Sequence, residues 1–136
     1  MIFLDTNILI YAYDLDEKPK RQTAKAILAD CWNNRSGVIS TQVLQELYVT
    51  LTRKLSSNLP ASEARDVVSD FLSWSIYQIV PTDIGEASEI EEQYGYTFWD
   101  SLVITAARNA NAEVLYSEDM QDGQRLGDLK IINPFK

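Results

Sequence analysis

The sequence predicts one three-layer α/β/α domain with a mostly parallel central sheet, spanning residues 1–136. Three observations predict it. Short apolar runs alternate with longer amphipathic stretches, which is the pattern of βαβ units. Turn-forming residues fall between these segments and nowhere gather into a linker. The chain has 136 residues and is 46% hydrophobic, enough to bury roughly 70% of its unfolded surface around a single core.

The elements follow in order. Ile2-Phe3-Leu4 is a continuous apolar run and reads as a buried strand. Asp5-Thr6-Asn7 offers N-cap chemistry, so a helix starts there. Lys18 to Asn34 is helical, with Ala24, Ile27, Leu28 and Cys31 on one side. Gly37 breaks that pattern before a second strand at Val38-Ile39. Ser40 or Thr41 caps a third helix with Val43, Leu44, Leu47, Tyr48, Leu51 and Leu55 as its stripe. Ser56 to Pro60 is a loop. Ala61 to Trp74 is helical, and Ile76 to Val80 is β-rich. Thr82 caps a helix that runs to Tyr94 and stops at Gly95. Asp100 opens an apolar helix ending at Asn109. Val114-Leu115-Tyr116 and Lys130-Ile131-Ile132 are the fourth and fifth strands.

Composition removes whole classes of chemistry. There is no histidine, which excludes Ser-His-Asp and Cys-His catalysis and every histidine metal site. The lone Cys31 excludes an internal disulfide and multi-cysteine zinc or iron–sulfur sites. Lys and Arg total 12 against 20 Asp and Glu, a formal charge of −8, so broad non-specific DNA coating is not expected. The first residues carry Asp5 and Asn7 and lack a basic region, so they do not read as a signal peptide. No apolar run is long enough to span a membrane. A cytoplasmic protein is expected.

What remains is carboxylate chemistry. Asp5 follows the first strand and Asp119 follows the fourth, and open parallel sheets bind ligands at such carboxyl ends. Asp100 sits at a helix start, where the dipole favours an ionised carboxylate. Four acids brought together repel unless a cation joins them, and Mg²⁺ or Mn²⁺ suits an all-oxygen set. Each acid also has an ordinary reading: Asp5 and Asp100 as helix caps, Asp119 as turn chemistry. Glu46 lies roughly 140° from its helix's apolar stripe at ~100° per residue, the position of a solvated glutamate. Spacing alone does not join the four.

A resemblance does. Met1-Ile2-Phe3-Leu4-Asp5-Thr6-Asn7-Ile8-Leu9 resembles the first motif of PIN domains, most of all the VapC toxins of VapBC toxin–antitoxin modules. Gln45-Glu46-Leu47, Phe98-Trp99-Asp100-Ser101-Leu102 with Ala106-Ala107, and Tyr116 to Gly123 resemble the later motifs in the same order, and Ile132-Asn133-Pro134-Phe135 a common ending. The resemblance implies a Mg²⁺- or Mn²⁺-dependent endoribonuclease acting as the toxin of a type II module. Asp5, Glu46, Asp100 and Asp119 would be catalytic, and Asp5, Asp100 and Asp119 would hold metal. Glu46 would orient a water. Thr6 and Ser117 resemble hydroxyls that fix carboxylates or cap a turn, Asp122 would be a fifth acid near the pocket or, with Gly123, an ordinary turn pair, and Asn7 belongs to the motif or to the fold. The implied partners are an RNA substrate, a cognate antitoxin and a second copy in a homodimer, with no membrane.

Other classes compete. A phosphatase of the haloacid-dehalogenase type also starts strand–Asp but needs a second Asp where Asn7 stands. A non-cleaving RNA- or partner-binding domain would be expected to lack one of the four acids. A PIN nuclease of RNA processing or decay is not separable from a toxin by sequence. Trp32, Trp74 and Trp99 read as packing or dimer contacts, and Cys31 as a buried small hydrophobe. The basic residues Lys18, Lys20, Arg21 and Lys25, with Arg53-Lys54 as a second group, read as solvated helix faces and as the natural places for an RNA backbone to touch.

Overall fold

The computed structural model describes all 136 residues. Six strands and six helices follow one another as β1 (Ile2–Leu4), α1 (Thr6–Tyr11), α2 (Lys18–Asn34), β2 (Gly37–Ser40), α3 (Thr41–Arg53), α4 (Ala61–Phe71), β3 (Ser75–Tyr77), α5 (Thr82–Tyr94), α6 (Phe98–Asn109), β4 (Val114–Tyr116), β5 (Arg125–Leu126) and β6 (Leu129–Ile132). The sheet order is β3-β2-β1-β4-β6-β5, and every pairing is parallel except β5 with β6. The expected three-layer α/β/α arrangement with a mostly parallel sheet is therefore the observed one.

Strand order explains the layers. From β1 the chain steps outward to β2 and then β3, so right-handed crossovers put α1 to α4 on one face. It then returns past β1 to β4, which puts α5 and α6 on the other. Phe3, Leu4, Ile39, Leu115 and Ile131 fill the sheet's two faces with no exposure. They meet Ile8, Leu9, Val43, Leu47 and Leu51 from the first helical layer and Ile104, Ala106 and Ala107 from the second. Cys31 is buried as expected. No helix is long and apolar enough to cross a membrane.

Several elements differ from the sequence reading. The helix expected to reach Trp74 ends at Phe71, because Trp74 turns back to pack its indole over the backbone of Gly37. The strand expected at Ile76 to Val80 is Ser75 to Tyr77. Beyond it, the Ile79 and Val80 amides donate to the side chains of Thr41 and Asp83 instead of to a strand. Thr82 is not a cap but the first residue of α5. Its neighbour Asp83 holds that turn, accepting from the Val80 amide at 2.8 Å and from the Tyr77 hydroxyl at 3.0 Å. The two-residue β5 was not expected, since a pair of residues carries no periodicity.

Gly37 is required by close approach. A Cβ there would meet Trp74 ring carbons at 2.4 and 2.5 Å. Gly37→Ala is expected to destabilise the protein by about 1–3 kcal/mol through overpacking, read as a lower urea midpoint at unchanged m. An unchanged midpoint would mean that the indole moves aside at no cost.

Candidate active site

β1 lies between β2, which follows it in the chain, and β4, which arrives from the other direction. The strand order reverses there, so the carboxyl ends of β1 and β4 flank the crevice that such sheets use for ligands. Asp5 leaves β1 directly into this crevice, and Ser117 to Asp119 leave β4 beside it.

Asp5 is 5% exposed. One carboxylate oxygen accepts from the Thr6 amide at 2.8 Å, and the other accepts from the Ser117 hydroxyl at 2.7 Å. Asp5 is thus the cap of α1, but the cap occupies only part of its bonding capacity. Asn7 joins it to the next acid. Its side-chain amide donates to Asp119 at 3.0 Å and reaches Asp5 at 3.5 Å, while its carbonyl accepts from the Glu118 amide at 3.4 Å. The Ser117 hydroxyl also accepts from the Asp119 amide at 3.2 Å. One serine and one asparagine therefore set the spacing of Asp5 and Asp119.

Asp100 does not open its helix. α6 begins at Phe98, and the Thr97 hydroxyl is the cap, accepting from the Asp100 amide at 3.1 Å. That corrects the helix start expected at Asp100 and leaves its carboxylate without a backbone to cap. Glu46 is exposed on α3, as its angular position predicts. It is nevertheless turned toward the same end of the molecule, where it and Asp100 raise the Asp5 pKa through their charges. Gln42, one turn before Glu46, is buried and donates to the Trp99 carbonyl at 3.1 Å, tying α3 to the start of α6. Sequence reasoning missed Gln42. At ~100° per residue it lies opposite the apolar stripe of its helix, so periodicity offered no signal for its burial.

Burial and neighbouring charge raise Asp5, Asp100 and Glu46. Burial is the main cause that pushes the Asp5 pKa up to about 7, against the bonds from Ser117 and Thr6 that lower it. Burial likewise raises Asp100, with the Asp119 charge adding to it. Glu46, exposed along its helix, is raised by the protein crowded around its carboxyl and by Asp100, against the Gln42 bond and the Lys54 charge that lower it. No three acidic or cysteine side chains share a point as a ready-made metal cage. The acids are linked through Asn7, Ser117 and their fields.

The loop bearing Asp119 is anchored from outside. Glu118 accepts from the Tyr11 hydroxyl at 2.5 Å and pairs with Lys20. Lys20 also lies 4.9 Å from the centre of the Tyr11 ring, which packs edge-on against Phe135 at 5.0 Å. Burial alone would raise the Glu118 pKa, but the Lys20 and Tyr11 bonds outweigh it and lower it. Glu118 is thereby neutralised by its own partners, next to a cluster that is not.

Two expected contributors are placed differently. Asp122 accepts from the Asn133 amide at 2.8 Å and so closes the turn against the C-terminal segment. The Thr6 hydroxyl touches no polar partner and is buried, as is that of Ser101 beside Asp100. Trp74 is buried, but Trp99 is 64% exposed immediately before Asp100.

The family model of the PIN domain matches residues 2–122. Among solved structures, a toxin–antitoxin complex from Klebsiella pneumoniae is similar at a TM-score of 0.73 and 18% identity, covering 98% of each chain. VapBC2 from Rickettsia felis, bound to a DNA fragment from its promoter, is similar at 0.66 and 24%, covering 96% of this chain and 97% of the other. The sarcin-ricin loop cleaving VapC toxin of Mycobacterium tuberculosis is similar at 0.66 and 17%, covering 88% and 90%. At these identities the likeness is one of fold. No curated protein matches the chain.

Proposed function

The chain belongs to the PIN domain family, and from that premise we propose that it is a divalent-metal-dependent endoribonuclease serving as the toxin of a type II toxin–antitoxin module. The observation that carries the reading is the pair Asp5 and Asp119, bridged by Asn7 and Ser117 across the β1–β4 crevice, with Asp100 released from capping by Thr97. A purely structural set of acids would be held by local donors, as Asp83 is by Tyr77, Val80 and Asn109, or paired with a cation, as Glu118 is with Lys20. Asp5, Asp100 and Glu46 are instead raised, by burial first and then by neighbouring acids: Asp100 and Glu46 act on Asp5, Asp119 on Asp100, and Asp100 on Glu46.

The donor set fits Mg²⁺ or Mn²⁺. It is all oxygen, it is anionic beyond what its neighbours neutralise, and its open spacing suits an ion that keeps several waters. Two covered hydroxyls without partners, on Thr6 and Ser101, flank the two main acids. In this reading Asp5, Asp100 and Asp119 hold the ion, which when bound supplies charge stabilisation for phosphoryl transfer. Ser117 and Asn7 fix the directions in which Asp5 and Asp119 point, the outer support that such ligands need. Glu46 orients the attacking water and takes its proton, and its raised pKa makes it a better base. The water oxygen bonds to phosphorus as the bridging P–O bond breaks, and the leaving alkoxide takes a proton from solvent water.

Partners follow the same reading. The structural relatives include toxin–antitoxin complexes, which supports an antitoxin. An apolar groove of about 720 Å³ between α3 and α4, walled by Leu44, Tyr48, Val49, Val68 and Leu72, is a surface of the kind that seats an amphipathic helix. The expected homodimer stands on the resemblance alone.

The test is purified protein incubated with total cellular RNA in Mg²⁺, in Mn²⁺ and in chelator, with the ends mapped. Discrete ends that need the ion are expected, together with growth arrest on expression without a partner. RNA left whole in both ions would overturn the nuclease reading. Cleavage without growth arrest, in a gene context lacking a small DNA-binding neighbour, would move the protein to RNA processing.

A further inference from the structure

In sequence, Lys18, Lys20, Arg21 and Lys25 form one basic group; the fold divides it. Lys20 is taken by Glu118 and Tyr11. Lys18, Arg21 and Lys25 recur at helical spacing on another side of α2, where with Gln22 they line a cleft of about 270 Å³ that has no apolar wall. None of the three is paired, for the two salt bridges of the chain are Lys20–Glu118 and the N-terminus with Glu113. The Arg21 Nε is covered yet has no hydrogen-bond partner. Of the acids just upstream, Asp14 accepts from the Asp16 amide and Asp16 from the Ser56 hydroxyl. Glu17 makes no capping bond to the helix. Three uncompensated cations on one face are a local reversal in a chain of charge −8.

Position gives the reversal a use. α2 starts at the carboxyl end of the sheet, where Lys20 meets Glu118, and runs back to begin β2, so residues 18–25 lie within about 10 Å along the helix axis of the end where the acids lie. A polyanion is repelled by the acidic crevice. Cations set to one side hold it there without neutralising the acids.

We propose that the cleft of Lys18, Arg21, Gln22 and Lys25 seats backbone phosphates of single-stranded RNA beside the acidic crevice. The proposal rests on the endoribonuclease reading. Arg21 supplies a forked donor, the two lysines supply charge, and Gln22 supplies a neutral amide donor. A nucleic acid fits better than an acidic protein segment because the cleft lacks an apolar anchor of the kind protein interfaces centre on.

The test measures binding without cleavage. A fluorescein-labelled, mixed-sequence 20-nucleotide RNA is titrated with protein in chelator from 50 to 300 mM KCl. Each phosphate contact contributes about −0.7 to the slope of log affinity on log salt for single strands. The triple variant Lys18→Gln, Arg21→Gln, Lys25→Gln should make the slope shallower by about 2, and the exposed single variants Lys18→Gln and Lys25→Gln by about 0.7 each. Lys18→Arg with Lys25→Arg should retain the slope. In cleavage the triple variant should raise KM and leave kcat unchanged. An unchanged slope in the single and triple variants overturns the cleft. So does loss of binding to a polyglutamate peptide at an unchanged RNA slope, which assigns the face to an acidic protein segment. A changed slope in a protein that never cleaves RNA keeps the cleft and removes the nuclease reading.

Discussion

Asp5→Asn and Asp100→Asn are each expected to lower RNA cleavage on the order of a thousandfold or more, about 4 kcal/mol of transition-state stabilisation. Both changes keep side-chain volume and remove one negative oxygen. The fold tolerates them for different reasons. Asn at position 5 still offers a carbonyl to the Thr6 amide, and Ser117 reverses its role from donor to acceptor. Asn at position 100 disturbs no cap, because Thr97 provides it. Far-UV circular dichroism and a sedimentation profile matched to wild type would establish that comparison. Thr97→Ala is the contrasting change: it should cost about 1 kcal/mol of stability, the usual value of a lost helix cap, and leave cleavage within severalfold. If Thr97→Ala abolishes cleavage while Asp100→Asn leaves it at wild-type rate, the start of α6 contributes through its shape and Asp100 is not a ligand.

Much of this geometry was present in the chain as local signals. The apolar runs and caps located β1, α1, α2, β2 and α3 closely, because each carries its own stop or start: Asp5, Gly37 and Ser40 act within a few residues of where they stand. The α5 and α6 starts were misplaced because Asp83 and Thr97, not Thr82 and Asp100, hold those turns, whereas the end of α4 is set from far away. Nothing between Leu72 and Trp74 halts a helix except the docking of Trp74 on Gly37, and the strand after it stops where Thr41 and Asp83 intercept its amides. The candidate site shows the same division. Asp5 and Asp119 are visible as acids at strand ends. That Asn7 spans them, and that Gln42 ties α3 to α6, depends on contacts across 112 and 57 residues. Glu46 points away from its own helix's stripe, so periodicity marks it as a surface residue. It meets the other acids only because β2 and β4 flank β1.

The chelated protein is expected to lose stability as pH rises from about 4 to about 7, and Asp5→Asn to remove most of that loss. Asp5 holds its proton up to about pH 7 in the folded chain, against about 3.9 when unfolded. Between these values the folded state binds more protons than the unfolded one. The stabilisation is therefore complete below the unfolded value and is gone once pH passes the folded value. The gap is worth on the order of 4 kcal/mol. Asp100 and Glu46 are raised too and act in the same direction. Glu118 is lowered, so its contribution is lost only as pH falls below the ordinary carboxylate range, outside this window. Millimolar Mn²⁺ at pH 8 should restore what ionisation removes, by roughly 2.7 kcal/mol at a hundredfold excess over Kd. Asp5→Asn in chelator at pH 8 should then melt several degrees above wild type, show a flatter profile from pH 5 to 8, and gain little from Mn²⁺. Asp100→Asn should follow with a smaller rise. The measurement is one set of melting curves at four pH values, with chelator and with Mn²⁺. A variant at position 5 that melts below wild type in chelator at pH 8 and still responds fully to Mn²⁺ would reduce Asp5 to the cap of α1. The activity lost by removing it would then be a loss of helix geometry, since the group that carries this site's excess charge would be carrying none of its metal.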